Sequence, residues 1–350
     1  MRKARVVARK GVGGVYHCTS RVVDKARKFG PHEKARFLEF LRSYEAFCGV
    51  QILTYCVMSN HVHVLIRVPP TPDLLPDDAE LVRLAARAQV SHGATRLERE
   101  LAAFRASGDE AGRQKLRNKF LCRMWDVSKY MQSVKQRFTQ WFNKLHGREG
   151  TLWEGRFRSV LVEDTEHTLA PMAAYADLNP VRAGMVEDPA DYQWSGYSEA
   201  MRGGALALDG LRRVVLESLE SPRAGETQAH EMERILARYR VYLFEKGEQR
   251  PPLPDGTGGR PGVRPERVEE VLRSGGRLSP AEALRCRNRY FTEGVVLGSE
   301  AFVEAMFEQY RGHFGPRRKR GARELHGVDM PGMAVIATLR KRALIPPMRT

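Results

Sequence analysis

VQILTYCVMSNHVHVLIRVPP, residues 50–70, decides the fold of this chain. Residues 50–58 combine β-branched and aromatic side chains, which predict a strand, and a Ser-Asn turn follows. Residues 61–68 alternate strictly and predict a second strand, which two prolines end. Because successive side chains on a strand point to opposite faces, His61 and His63 share one face, and valine and isoleucine fill the other. The stretch therefore predicts a hairpin with an apolar face and a histidine face.

Similar signals lie on both sides of this hairpin. VYHCTSR at 15–21 predicts a strand, and the apolar spacing over 34–49 predicts a helix that a glycine ends. After the hairpin, the pattern predicts a helix over 129–146, a strand within 156–164, and a helix from 165 that ends before Pro180. The order β-α-β-β-α-β-α predicts an α+β fold, in which an antiparallel sheet carries helices on one face.

Composition divides the chain into a main domain and extensions. We expect a catalytic domain at 1–200, in which 71–128 is an Ala-, Arg- and Glu-rich helical insertion. The remainder comprises a helical extension at 201–246, a Pro/Gly-rich linker at 247–265, and a basic, mainly helical tail at 266–350. Ser279 and Ser299 are each placed to cap a helix within that tail.

The charge favours a nucleic-acid partner. The 350 residues include 58 Lys and Arg against 42 Asp and Glu, which gives a net charge of +16. The five cysteines form no C-x-x-C pair, which argues against a zinc knuckle and fits a reducing compartment. No apolar run approaches the roughly 20 residues of a membrane helix, and no signal peptide is evident. We therefore expect a cytoplasmic, nucleoid-associated protein without a membrane partner.

Two pairs of residues carry candidate chemistry. His61 and His63 lie two apart on a strand, so their Cα atoms are about 6–7 Å apart and both imidazoles can bind one metal ion. The alternative is a pair of half-buried sheet histidines. Tyr175 and Asn179 lie four apart on a helix, which puts a phenol one turn from an amide. The alternative is a core tyrosine and an asparagine that ends the helix.

Four ordered blocks carry a family resemblance. VYHCTSR, YCVMSNHVHVLI, KQRFTQWFNKLHGREGTLWEGRFRS and YADLNPVRAGMV occur in the order found in REP-associated tyrosine transposases. These are IS200-like members of the His-hydrophobe-His (HUH) single-strand nuclease superfamily. The resemblance covers about residues 12–200. The chain departs from the compact family pattern in its long 71–128 segment, and in Ala176, where a bulky aliphatic residue is common. RYFTEGVVLGSEAFVEAMF resembles a C-terminal extension carried by a subset of these transposases.

The resemblance implies a fold and a mechanism. It implies a ferredoxin-like domain, with Tyr175 as a nucleophile that forms a 5′-phosphotyrosine with DNA. It also implies that His61, His63 and Asn179 hold a divalent ion, Mg²⁺ or Mn²⁺ by the character of these ligands. The implied substrate is single-stranded DNA with a hairpin. The sequence leaves open whether the protein acts as a monomer or a homodimer.

Basic residues in or near the matched blocks are candidates for binding DNA. They are Arg21, Arg67, Lys135, Arg137, Arg156, Arg158 and Arg182. Trp153 or Phe157 is a candidate for stacking on an unpaired base, whereas His17 is interpreted as a strand residue and not a ligand. An alternative function is a hairpin DNA- or RNA-binding protein that does not cleave. A metal hydrolase of small phosphodiesters is disfavoured by the charge and by the lack of a carboxylate-rich site.

Overall fold

The computed structural model describes residues 6–8, 11–88, 93–218, 227–244, 279–337 and 343–345. The predicted linker at 247–265 and the first residues of the tail lie outside these ranges. The four longest strands form one side of the sheet: β1 (Gly14–Arg21), β2 (Gln51–Val57), β3 (His61–Val68) and β4 (Arg158–Val162). Their order is β2-β3-β1-β4, with all three neighbouring pairs antiparallel. This is the ferredoxin-like arrangement, and the predicted α+β fold class is confirmed.

Two long helices cover the apolar face of this sheet. They are α1 (Pro31–Cys48) and α5 (Val127–Leu145). The valine and isoleucine side chains of β3 pack against Phe37, Leu41 and Phe138 in one buried cluster. Gly49 ends α1 in the left-handed conformation at φ 62°, as the sequence predicts. A Cβ atom there would also lie 2.8 Å from Nε1 of Trp125, so the close approach of this indole requires glycine.

The segment between β3 and α5 contains three helices. They are α2 (Asp78–Arg87), α3 (Gly93–Ser107) and α4 (Glu110–Leu121). Two of these helices contribute side chains to the buried cluster that contains residues of α1: Leu81 and Ala85 from α2, and Leu97 and Leu101 from α3. The insertion is therefore packed on the side of the sheet away from the histidines.

Helices also cover the histidine face of the sheet. In chain order they are α6 (Glu166–Asp177), α7 (Asn179–Arg182), α8 (Gly196–Met201), α9 (Ala205–Val214) and α10 (Gln228–Phe244). Leu65 of β3 and Val160 of β4 pack against Leu169 and Leu211 in a second buried cluster. The sheet thus has a helical layer on the second face in addition to the predicted layer of α1 and α5. Leu65 and Val160 are apolar residues on the histidine face of their strands, and this layer removes them from water.

The C-terminal region adds helices and strands to this framework. The helices are α11 (Pro280–Arg285), α12 (Arg289–Glu293) and α13 (Glu300–Gln309), with Ser279 and Ser299 as N-caps. The strands are β5 (Arg287–Asn288), β6 (Val296–Gly298), β7 (Arg323–Glu324), β8 (Ala334–Ile336) and β9 (Leu344–Ile345). β6 pairs in parallel with β4 and extends the sheet to seven strands through β8 and β7. No helix in the described ranges is long and apolar enough to span a membrane.

Candidate active site

The two histidines of β3 point into a cavity of about 500 Å³ at one end of the sheet. Val62 and Val64 lie in the apolar core, so strict alternation turns His61 and His63 to the opposite face. In the antiparallel register, Arg21 of β1 lies opposite His61, and Thr19 lies opposite His63. The cavity therefore has two imidazoles and an arginine in adjacent positions on the sheet.

The two imidazole rings are close enough to face one ligand, and both are neutral at pH 7. Their centroids are 5.0 Å apart with an interplanar angle of 77°. Burial, together with nearby arginines, lowers the pKa of His61 to about 4. Burial and the neighbouring His61 and His17 rings hold the pKa of His63 well below its usual range. A neutral imidazole keeps the lone pair that a metal ion needs.

Tyr175 reaches the same cavity from α6. Its ring makes edge contacts with His63, at a centroid distance of 6.1 Å, and with Phe291 of α12, at 5.2 Å. The guanidinium of Arg182 lies 4.0 Å from the ring centroid on its face. The residue is only 2% exposed, so packing and a cation–π contact fix the orientation of the phenol beside the histidines.

Asn179 lies one helical turn after Tyr175 and also lines the cavity. α6 ends at Asp177, and α7 continues from Asn179 with Pro180 in its first turn, where no backbone N–H is needed. Nδ2 of Asn179 donates to the carbonyls of Ala176 at 2.9 Å and Tyr175 at 3.2 Å. These bonds leave Oδ1 as the amide atom for a metal ion.

Arg182 connects the tyrosine helix to the C-terminal region. Its guanidinium donates to the carbonyl of Tyr175 and, through Nη1, to the carbonyl of Leu284, both at 2.7 Å. Burial lowers the pKa of this group from the usual arginine value. Two donors of the guanidinium are thus used on backbone carbonyls, so Arg182 fixes the wall of the cavity as well as contributing positive charge.

Four of the seven predicted DNA-binding residues line the cavity: Arg21, Arg156, Arg158 and Arg182. Arg67 does not, because it lies six residues from His61, about 20 Å along the strand, and pairs with Asp164 at 3.0 Å. Lys135 and Arg137 belong to α5 on the opposite side of the sheet. Nζ of Lys135 donates to the carbonyl of Gly155 at 2.8 Å and so supports the loop that carries Arg156.

The interpretation of Trp153 and Phe157 as base-stacking residues is wrong. Their side chains are 5% and 6% exposed and belong to the apolar core. The Trp153 ring packs against Phe29 at a centroid distance of 5.7 Å. The aromatic character of the loop before β4 is explained by this core, which holds the loop in place.

Residues of the C-terminal region also line the cavity, and the sequence did not predict them. They are Arg287, Thr292, Glu293 and Ile345. Glu293 bonds to Arg289 at 2.6 Å, and it lies 3.3 Å from Arg287 and 4.0 Å from Arg158. No spacing signal identifies them, since they lie more than 100 residues after Tyr175 in the chain.

The donor set fits a weakly held divalent ion. Within the described part of the chain, no three His, Cys, Asp or Glu side chains are grouped closely enough to hold a metal ion. His61, His63 and Asn179 nevertheless line one cavity and offer two neutral imidazoles and an amide oxygen. Such an uncharged, borderline set suits Mn²⁺ better than Mg²⁺.

Known proteins were compared with this chain as sequences and as structures. No curated protein sequence matches it. A solved structure described as a REP-associated tyrosine transposase bound to a REP hairpin superposes with a TM-score of 0.37 and 13% identity. The superposition covers 65% of this chain and 96% of that chain.

A family model gives the more specific result. Residues 13–75 match the model described as transposase IS200 like. The matched segment comprises β1, α1, β2 and β3, and it contains both histidines of the cavity. The resemblance seen in the sequence is thus confirmed over this segment, which is similar to the IS200-like transposases.

Proposed function

We propose that the protein is a single-stranded DNA endonuclease and strand transferase that cleaves near hairpins through a 5′-phosphotyrosine. The observation that carries the proposal is that His61, His63, Tyr175 and Asn179 line one cavity together with five arginines. The match of residues 13–75 to IS200-like transposases supports it. One chain supplies all four side chains, so the proposed site needs no second copy. We expect the protein to act on DNA in the cytoplasm, at the nucleoid.

Tyr175 is the proposed nucleophile. Its phenol oxygen attacks the scissile phosphorus, a tyrosine–phosphate bond forms, and the bond from phosphorus to the 3′ oxygen breaks. The phenol proton is lost and the leaving oxygen gains one, so the products are a 5′-phosphotyrosine and a free 3′-hydroxyl. Attack by a second 3′-hydroxyl on the phosphotyrosine reverses this exchange and joins strands without ATP. The contacts of Tyr175 with Arg182 and Phe291 hold the ring for this attack.

His61, His63 and Asn179 are the proposed metal ligands. A divalent ion bound there supplies charge that stabilises the phosphate oxygens in the transition state. The low pKa of both histidines keeps them in the ligating form throughout the neutral range. Because none of these three ligands is a carboxylate, the set itself would not neutralise the charge of a bound ion, and this would favour an anionic phosphate beside it.

The arginines of the cavity are the proposed phosphate contacts. Arg158 of β4 and Thr19 of β1 lie in the same cross-strand row as His63, so the row extends from the metal site to an exposed guanidinium. The side chain of Arg158 is 65% exposed. The net charge of +16 adds a long-range attraction for the same backbone.

The second candidate is a hairpin DNA- or RNA-binding protein without cleavage. The arginines alone suffice for that function. It does not require a phenol, two neutral imidazoles and an amide in one cavity, and this combination favours the enzyme.

The proposal is tested with the purified full chain and single-stranded hairpin oligonucleotides, in Mn²⁺ and in EDTA. We expect a covalent protein–DNA band on a denaturing gel in Mn²⁺ and none in EDTA, with unbroken duplex DNA giving no product. Tight hairpin binding without any band supports the binding protein instead. Cleavage without a covalent band indicates water as the nucleophile and a hydrolase.

Glu293 gives a prediction about DNA affinity. A hydrogen bond from Arg289, with Arg158 and Arg287 nearby, lowers the pKa of its carboxyl, so it is ionised at pH 7. Its carboxylate therefore forms ion pairs with arginines that would otherwise be available to bind phosphate. We expect Glu293→Gln to raise hairpin affinity several-fold at low salt and to steepen the salt dependence of log K by about 0.7 for one more phosphate contact.

The measurement is fluorescence anisotropy over a salt series, with Glu300→Gln as the control. Glu300 pairs with Arg320 and does not line the cavity, but its substitution changes the net charge equally. An equal gain in both variants would show that only the net charge matters and would contradict a local effect of Glu293.

A further inference from the structure

His17 of β1 is in direct contact with one of the proposed metal ligands. The His17 and His63 rings lie edge to edge and nearly coplanar, with centroids 5.1 Å apart and an interplanar angle of 13°. Nε2 of His17 lies 3.0 Å from Nδ1 of His63, so these two nitrogens share one hydrogen bond. The His17 side chain is 1% exposed, and this bond is therefore shielded from water.

The other nitrogen of His17 determines which way that bond runs. Nδ1 lies 2.7 Å from the carbonyl oxygen of Phe291. A carbonyl only accepts, so Nδ1 of His17 carries the ring proton. In a neutral ring Nε2 then holds a lone pair and accepts from Nδ1–H of His63. This assignment places the proton of His63 on Nδ1 and the lone pair on Nε2.

Asn60 imposes the same tautomer on the second ligand. Nδ2 of Asn60 donates to the carbonyl of Lys25 at 3.0 Å, which fixes the orientation of the amide. Oδ1 of Asn60 lies 2.6 Å from Nδ1 of His61, so that nitrogen also carries its proton. Two unrelated partners thus leave both ligand histidines with a lone pair on Nε2.

We propose that His17 is a positioning residue that fixes the tautomer and ring orientation of His63, and that the Phe291 carbonyl holds His17 for this role. The relevance to metal binding rests on the proposed function, but the tautomer does not. In metal sites such outer hydrogen bonds orient the ligands, and their loss typically costs 10–100-fold in metal affinity.

The proposal gives the C-terminal region a role in the site. The backbone of Phe291 holds His17, and its ring packs against Tyr175. The same residue therefore positions one proposed ligand and contacts the proposed nucleophile. The region completes the cavity from more than 100 residues away in the chain.

The first test is NMR of the metal-free full chain with ¹⁵N-labelled histidines, in which His61→Gln and His63→Gln assign the signals. We expect a protonated Nδ1 and an unprotonated Nε2 on both His61 and His63 at pH 7.5. In His17→Phe, which keeps an aromatic ring at this position but removes the accepting nitrogen, His63 should become a mixture of tautomers and His61 should not change. A proton on Nε2 of His63 in the wild type would overturn the proposal, whether or not any variant folds.

The second test is Mn²⁺ affinity by isothermal titration calorimetry. We expect His17→Phe to weaken binding 10–100-fold. His17→Gln, whose Oε1 can take the place of Nε2, should restore affinity to within a few-fold of wild type. A purely structural role would lower the thermal stability of His17→Phe but leave Mn²⁺ affinity unchanged, and that result would refute the proposal. If the wild type binds no Mn²⁺, the proposed function fails, and the NMR result alone decides the role of His17.

Discussion

We expect Tyr175→Phe to reduce the covalent protein–DNA product by roughly a thousandfold or more, because the proposed nucleophilic oxygen is the only heavy atom removed. The ring contacts with Phe291 and His63 and the cation–π contact with Arg182 persist in phenylalanine. The variant should therefore fold normally and bind the hairpin within about twofold of wild type. Quantifying the covalent band and the anisotropy of a labelled hairpin in parallel separates loss of chemistry from loss of binding.

Tyr290→Phe is the matched control for this prediction. Tyr290 is also buried beside Phe291, but its hydroxyl accepts from the backbone N–H of His326 and does not line the cavity. We expect this variant to keep the covalent product. A band of normal intensity in Tyr175→Phe would show that Tyr175 is not the nucleophile. Mass spectrometry of the peptide attached to DNA would then identify the residue that forms the covalent link.

The histidine strand shows what the sequence could predict. Strict alternation and two following prolines predicted β3 over 61–68, the bounds that the structure has. The same alternation predicted that the valine side chains of β3 enter the core and that His61 and His63 leave it. These are properties of a few adjacent residues, and a local pattern is sufficient to determine them.

Features that depend on tertiary packing were not predictable. The contact between His17 and His63 depends on the register of β1 against β3, which no local pattern encodes. β6 has only three residues, too few to show periodicity. Trp153 was interpreted as a base-stacking residue, but apolar aromatic rings in a loop are equally suited to the core below it. The acidic residue Glu293 reaches the site only through the folding of the C-terminal region.

A buried carboxylate between the proposed nucleophile and the proposed amide ligand gives a large dependence of stability on pH. Asp177 is fully buried, and Oδ2 accepts from Tyr239 at 2.6 Å and from Thr54 at 2.9 Å. Burial raises the pKa of its carboxyl to about 7, against the lowering effect of these hydrogen bonds. The residue joins α6 to β2 and α10, so its protonation affects how the tyrosine helix packs.

The sign of the effect follows from proton binding. In the unfolded chain the pKa of an aspartate is about 3.9, so between pH 4 and pH 7 the folded protein holds a proton that the unfolded chain has lost. The stability from this group is complete below about pH 4 and is lost as the pH rises towards 7. With about 1.4 kcal/mol per unit of pKa, the full loss is about 4 kcal/mol, of which about 3 kcal/mol falls between pH 5 and pH 8.

We expect Asp177→Asn to remove this dependence, because an amide accepts from Tyr239 or Thr54 without ionising. Between pH 5 and pH 8, the free energy of unfolding of the variant should rise by about 3 kcal/mol relative to that of the wild type. Urea denaturation in EDTA measures both values. Tyr239→Phe removes a hydrogen bond that favours the carboxylate, so it should move the titration of Asp177 to higher pH. If the free energies of unfolding of wild type and Asp177→Asn differ by the same amount at every pH, Asp177 keeps one charge state throughout. The predicted effect of Asp177 on the pH dependence of stability would then be wrong.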